Sequence, residues 1–336
     1  DAAARRSEGS PPFPARRACR AGRIQRTLII SDLTLPELRQ RLAGSGLNLQ
    51  TGPVVSRIHS TLEPVIRGLA LLYGAHSVVE KYDFADFHVK IGHPFGLRRW
   101  IHPQVYFHID GALPFKPLPA DQAFPMMEWG LNWCVSSHCH QFLAIHAAVV
   151  ERNGHALILP APPGSGKSTL CAGLISRGWR LLSDELTLID PGSGHIVPIP
   201  RPVSLKNASI EVIQSFNSEA VFSPVVHDTA KGSVAHMRPP AESVRRSVET
   251  VPPGWLILPR YVADAEAVLS PLPKAQAFMQ LADNSFNYSL HGRSGFETLS
   301  RVIDACDCYE FSYGSLDEAC DIFMRLADDC SGDNGR

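Results

Sequence analysis

"GHALILPAPPGSGKSTLCAGLISRG", Gly154 to Gly178, decides the fold. An apolar run ends in a Gly-rich loop, the loop runs into a helical pattern, and Gly178 closes it. Gly just past the last periodic residue is a helix stop. The next stretch, "WRLLSDELTLID" (Trp179–Asp190), reads as another strand. Strand, Gly-rich loop, helix, strand is the βαβ unit of an α/β fold.

The loop fits the phosphate-binding pattern GxxxxGK[ST] at Gly166, Lys167 and Ser168, with Ala161 where the pattern has its first Gly. Ala manages that turn if its φ stays negative. The backbone N–H groups of Gly164, Ser165, Gly166, Lys167, Ser168 and Thr169 are expected to face a phosphate. Lys167 would reach the β- and γ-phosphates and the Ser168 hydroxyl would ligate Mg²⁺, with the helix N-terminus adding partial positive charge. The expected ligands are therefore ATP, or another nucleoside triphosphate, and Mg²⁺.

From Lys167 to Asp184 is a step of 17 residues, enough for one helix and one short strand. That places Asp184 and Glu185 at the carboxyl end of the next strand, where open α/β sheets bind ligands. If this strand neighbours the loop strand, one acid faces the γ-phosphate. Such a carboxylate can hold the metal or take the proton of an attacking hydroxyl. His146 begins the strand pair before the loop, where a neutral imidazole can orient a carboxylate, though a lone His on an apolar strand also serves as a core residue.

Elsewhere the chain is ordinary. It has 336 residues, 44% hydrophobic and 19% charged, with a formal net charge of -1, so nothing draws it to nucleic acid. No apolar run reaches a membrane span, and no signal-peptide core follows the first basic residues. The eight cysteines form no CxxC pair, which argues against zinc and for reduced thiols in a cytoplasmic protein. Residues 1–26 are rich in Pro, Gly, Ser and Arg and are expected to be a disordered basic tail, or an extension upstream of the true start. Residues 27–120 read as a small N-terminal α/β domain. In it "STLEPVIRGLALLYG" (Ser60–Gly74) looks like a Ser-capped helix, and "DFHVKIG", "RRWIHPQVYFHID" and "ALPFKPLP" look like strands. Residues 121–330 are the expected P-loop catalytic domain, opening with a helix in "DQAFPMMEWGLNWCVSSHC". There Trp129 and Trp133, four residues apart, suggest core packing.

"IHAAVVERNGHALILPAPPGSGKSTLCAGLISRGWRLLSDE" resembles the catalytic core of bacterial HPr kinase/phosphorylase. His146, Lys167, Ser168, Asp184 and Glu185 fall on matching positions. The resemblance implies that Asp184 is the acid/base group, that Ser168 and Glu185 serve the metal, and that His146 belongs to the site. The adjacent pair there is usually two Asp, and the downstream signature of phosphorolysis and HPr docking is absent, so neither property carries over. The fuller resemblance is to the HPr-kinase-related kinase A family, through "EWGLNWC", "HAAVVE", "PAPPGSGKSTLCAGL", "GWRLLSDE", "PRPVSLKN", "KGSVAH" and "FNYSL". It covers roughly residues 30–325, names no substrate, and implies company with a small PqqD-like peptide-binding protein.

Arg201 and Lys206 in "PIPRPVSLKN", and Lys231 in "DTAKGSVAHMRPP", are cations placed to touch phosphate or substrate, the second segment as a lid or an exposed loop. The readings in play are a kinase transferring the γ-phosphoryl group to a hydroxyl, with Ser of a protein or peptide foremost; a nucleotide-driven ATPase switch; a small-molecule kinase; and a binding module with a relict loop. Homo-oligomerisation is compatible with the resemblance, and the sequence carries no marker of it.

Overall fold

A computed structural model describes residues 27–80, 84–94, 103–162 and 164–332. The tail expectation for residues 1–26 lies outside them. After a 3-10 turn at Ile30–Asp32, helix α1 (Leu35–Ala43) starts at Thr34. The Thr34 hydroxyl accepts the Glu37 N–H, while the Glu37 carboxylate accepts the Thr34 N–H at 2.8 Å. This reciprocal box satisfies two of the helix's orphan donors. Strands β1 (Leu47–Thr51) and β2 (Val54–Ser60), helix α2 (Glu63–Leu72) and strands β3 (Phe87–Gly92), β4 (Gln104–Ile109) and β5 (Leu118–Pro119) follow.

These strands form one sheet in sequential order. Every pair is antiparallel except β2–β3, which α2 joins as a crossover. Ser60 is the last residue of β2 and not a helix cap; α2 begins at Glu63 with Pro64 in its first turn. The Ser60 hydroxyl instead accepts the Leu62 N–H, bracing the strand-to-helix corner. "ALPFKPLP" contributes only β5, its three prolines limiting the ladder.

Helix α3 (Ala123–His138) closes the core of this sheet, with Phe124, Met127, Leu131 and Val135 packed among Phe107, Val89 and Leu69. Two glycines let the layers approach. A Cβ on Gly130 would lie 2.0 Å from the Phe107 ring, and one on Gly68 of α2 would lie 2.2 Å from the Phe124 ring.

The second part continues with β6 (Leu143–Ile145), β7 (Ala147–Arg152), β8 (His155–Pro160), α4 (Lys167–Ser176), β9 (Arg180–Ser183), β10 (Thr187–Ile189), β11 (Ile196–Val197) and β12 (Val203–Lys206). Then come α5 (Ala208–Phe216), β13 (Val226–Thr229), β14 (Gly232–Met237), α6 (Ala241–Arg245), β15 (Pro253–Tyr261) and β16 (Val268–Pro271). The chain ends with α7 (Lys274–Asp283), α8 (Tyr288–His291), α9 (Arg293–Ala305), β17 (Asp307–Tyr313) and α10 (Leu316–Gly332).

Six strands form the main sheet in the order β16-β17-β15-β8-β7-β9. Its central strands β7 and β8 read as continuous apolar runs because both faces are covered. Ala148, Val150, Leu157 and Leu159 pack with α4, α5 and α10. Their alternates Ala147, Val149, Ala156 and Ile158 pack with α7 and α9. The turn between β7 and β8 places Asn153 and Gly154 at φ 54° and 81°, the two left-handed positions a tight hairpin requires. At the end of α4, Gly178 and Trp179 donate to the Ile175 and Leu174 carbonyls, a Schellman stop.

The acid-bearing strand does not neighbour the loop strand: β7 lies between β8 and β9 and is antiparallel to both. β8 and β9 consequently run in the same direction and end at the same edge. "WRLLSDELTLID" is also not one strand, since it breaks at Asp184 into β9 and β10. β10 pairs with β6 in a small sheet, and β9 with β7 in the large one. One antiparallel ribbon therefore passes through both sheets, bent at His146 on one strand and Asp184–Glu185 on the other.

The chain is thus mixed α/β. Among the described residues no helix is long and apolar enough to cross a membrane.

Candidate functional site

The loop between β8 and α4 turns through Gly164 (φ 88°) and Gly166 (φ 89°), positions that only Gly occupies without strain. Gly166 is the N-cap of α4, no side chain caps the helix, and its first turn carries no acid. The leading N–H groups of α4 have no side-chain partner, while the Ser165 N–H before them donates to the Pro162 carbonyl. Pro163 lies outside the described residues.

The first residue of α4, Lys167, is only 6% exposed. Its Nζ lies 3.0 Å from His146 Nε2. A charged ammonium only donates, so the imidazole accepts with Nε2 and is neutral, with its proton on Nδ1. Burial, then the Lys167 charge, lowers the His146 pKa to about 4, with Lys206 and Lys231 adding to the effect and Glu185 opposing it. Burial also lowers the Lys167 pKa, against the pull of Asp184 and Glu185.

Asp184 follows directly on β9 and is 5% exposed. Its Oδ2 accepts the Ser204 N–H at 3.0 Å, and the Ser168 hydroxyl lies near enough to favour the ionised carboxylate. Oδ1 is buried without a partner. Burial first, then the neighbouring Glu185 charge, raises the Asp184 pKa to about 6, although Lys167, the Ser204 N–H and the nearby Ser168 hydroxyl pull it down.

Glu185 behaves oppositely. Burial would raise its pKa, but Lys206, Lys231, Lys167 and Arg201 outweigh it and hold the carboxyl below its ordinary value. Lys206 Nζ stands 3.7 Å from Oε1, and the Asn132 amide donates to Oε2. Adjacent acids with pKa values pushed apart are the arrangement that divides roles between two carboxyls.

The helix α3 contributes what the sequence reading missed. Glu128 and Asn132, four residues apart on an otherwise apolar helix, point together into the site. Arg201 donates to Asn132 Oδ1 and lies 3.9 Å from the buried Glu128 carboxylate, whose other oxygen accepts the Tyr73 hydroxyl at 2.7 Å. Two polar residues at helical spacing in "FPMMEWGLNWC" were the available signal. Arg201 is thus committed to protein partners. Lys231 Nζ lies 5.0 Å above the Trp129 ring, a cation–π contact, while Trp133 packs edge-on against Phe115.

The segment holding Lys231 is the β13–β14 hairpin, with Lys231 in its turn and β14 paired to β12. His236 on β14 is 1% exposed, and burial lowers its pKa to about 3. It lines a small cavity beside Asp184 together with Trp129, Asn132, Arg201 and Ser204. Residues lining this cavity carry five buried polar atoms without partners: Trp129 Nε1, Asp184 Oδ1, Ser204 Oγ and both ring nitrogens of His236. Buried polar atoms are normally bonded, so such a concentration marks a place for a polar guest.

The structure therefore brings Lys167, Ser168, His146, Asp184 and Glu185 together, with Lys206 and Lys231 close enough to influence their charges. Among the described residues no group of three or more His, Cys, Asp or Glu forms a metal cluster. The cysteines at 134, 139, 171, 306, 308 and 320 are free and buried.

No curated protein matches the chain. Residues 119–222, which include α3, the Gly164–Gly166 loop and the acid pair, are similar to the family of the SynChlorMet cassette protein ScmC.

Proposed function

We propose that the protein is a kinase of the HPr-kinase-like P-loop type, which transfers the γ-phosphoryl group of ATP to a hydroxyl acceptor. The observation that carries this reading is the meeting of Lys167 and Ser168, at the start of α4, with Asp184 at the end of a strand two places away.

In this reading the loop amides and Lys167 hold the phosphates. The hydroxyl oxygen forms a bond to the γ-phosphorus as the bond to the β,γ-bridging oxygen breaks, and ADP departs. The hydroxyl proton passes to Asp184. A neutral His146 holds the Lys167 ammonium in line without adding a second positive charge.

A Mg²⁺ ion fits the donor set. Ser168 and Glu185 would hold it, since Glu185 is kept ionised and Lys206, at 3.7 Å, is too far to consume its Oε1 lone pairs. Mg²⁺ takes few protein ligands and fills its shell with water and phosphate oxygens, supplying charge neutralisation when bound. The cavity beside Asp184, whose lining residues carry five unpartnered polar atoms, is where an acceptor hydroxyl would enter.

A serine of a protein or peptide is the acceptor class that the family resemblance supports, with a small PqqD-like peptide-binding protein as the partner that would present it. The same cavity would hold water as readily as an alcohol, which favours an ATPase switch as the second reading. Incubation with γ-labelled ATP and cell extract separates them. Label on a protein or peptide, lost in Asp184→Asn, supports the kinase. Free phosphate without a labelled acceptor moves the reading to the switch, and neither product sinks both.

A further inference from the structure

The main sheet places a second feature at the phosphate loop, on the side away from the acid pair. β15 lies next to β8 and β17 next to β15, both parallel to the strands they adjoin. Tyr261 and Tyr313 are their last residues and stand opposite each other in register. Both therefore sit at the edge where β8 delivers the loop.

The two rings are in different states. Tyr313 is buried, stacks on Phe311 with ring centres 5.3 Å apart, and donates its hydroxyl to the Gly166 carbonyl at 3.1 Å. Tyr261 is 52% exposed, yet its position is fixed. Its N–H donates to the Ser165 carbonyl at 3.0 Å, and its ring meets Tyr313 edge-on at 5.7 Å. The following turn is also pinned, with Val262 N–H donating to the Tyr313 carbonyl and Gly314 packed so closely that a Cβ would lie 2.6 Å from Ala265 N. A Cβ on Gly166 would sit 3.0 Å from Tyr261 Cβ, so the aromatic residue touches the loop itself.

We infer that the exposed ring of Tyr261 is the stacking platform for the base of the bound nucleotide. This rests on the nucleotide reading above. A triphosphate lies along the loop with its γ end towards Asp184, on the β9 side of β8. Its ribose and base must then leave on the opposite side, where β15 presents Tyr261. Base stacking on an aromatic ring tolerates any base and gains with base area. The platform therefore takes purine nucleotides ahead of pyrimidines and discriminates little between adenine and guanine. Tyr261 is in this respect a positioning residue for the nucleotide and takes no part in phosphoryl transfer.

Calorimetric titration of Mg·ATP and of Mg·tripolyphosphate tests it, using the full chain and its Tyr261→Ala and Tyr261→Phe variants. Tripolyphosphate has no base, so the expected result is an ATP affinity about ten-fold weaker in Tyr261→Ala with tripolyphosphate binding unchanged. Tyr261→Phe keeps the ring and should bind both as the parent does. Equal ATP affinity in Tyr261→Ala and parent overturns the platform. An equal loss for both ligands also overturns it, because it would place the effect on the loop and not on the base. If the parent binds neither ligand, the nucleotide reading fails first and the platform with it.

Discussion

Lys167 and His146 share a hydrogen bond of 3.0 Å across 21 positions of sequence, joining the first residue of the loop helix to the bend between β6 and β7. It gives a buried ammonium a neutral acceptor. Replacing His146 with Leu removes that acceptor and should destabilise the fold by about 1–3 kcal/mol, the cost of a buried donor left unmade. His146→Gln, which restores an amide oxygen, should recover part of the loss. Urea denaturation of the two variants decides the matter, and equal stabilities would deny the bond any structural weight.

Removal of the lysine should separate stability from binding. Lys167→Ala takes a charge out of the interior, so the fold should hold or gain stability. Its affinity for Mg·ATP should fall by about ten- to a hundred-fold, the worth of one or two charge-assisted hydrogen bonds. Unchanged affinity by calorimetry would place the phosphates elsewhere.

Asp184→Asn is expected to bind Mg·ATP close to normally and to lose turnover by about 10²–10⁴, the usual contribution of a general base. Single-turnover measurement with labelled ATP reads both quantities. Normal turnover would assign the proton to another group.

His76 supplies a pH prediction away from the acid pair. Its Nε2–H donates to the Pro200 carbonyl at 2.8 Å, and burial lowers its pKa to about 4. Between the ordinary value of 6.5 and about 4 the unfolded chain binds a proton that the folded chain refuses. The stability due to this residue is complete above 6.5 and is lost as pH falls through that window, at about 1.4 kcal/mol per unit. His76→Gln, which keeps a donor and cannot titrate, should flatten the acid side of a urea-midpoint profile. An unchanged slope would remove His76 from the account.

What could be read from the sequence follows the range of the interactions. The loop at Gly164–Ser168 and the stop at Gly178 are set by residues within a few positions of one another, and local chemistry announces them. The insertion of β7 between β8 and β9 is a matter of long-range pairing that no local pattern encodes. Ser60 misled because a good cap residue was claimed by the strand before it. Glu128 and Asn132 were hidden by their setting, since an apolar helix reads as core until its few polar positions are seen to share a face. Arg201 is held by Asn132 and Glu128, buried partners on α3 that its own segment does not reveal.

The ribbon formed by β6–β7 and β9–β10 has a mechanical consequence. Because the two strands are paired on both sides of the bend, the bend acts as a crease across both at once. A change in the angle between the small and large sheets would carry His146 and the acid pair together along the fold line. Anchored to the first sheet's core are α3 with Asn132, and the Pro198–Arg201 segment, held by the His76 bond and by the close approach of Gly52 to the Pro198 carbonyl. The Asn132 bond to Glu185 thereby fastens the acid side of the crease to the N-terminal core.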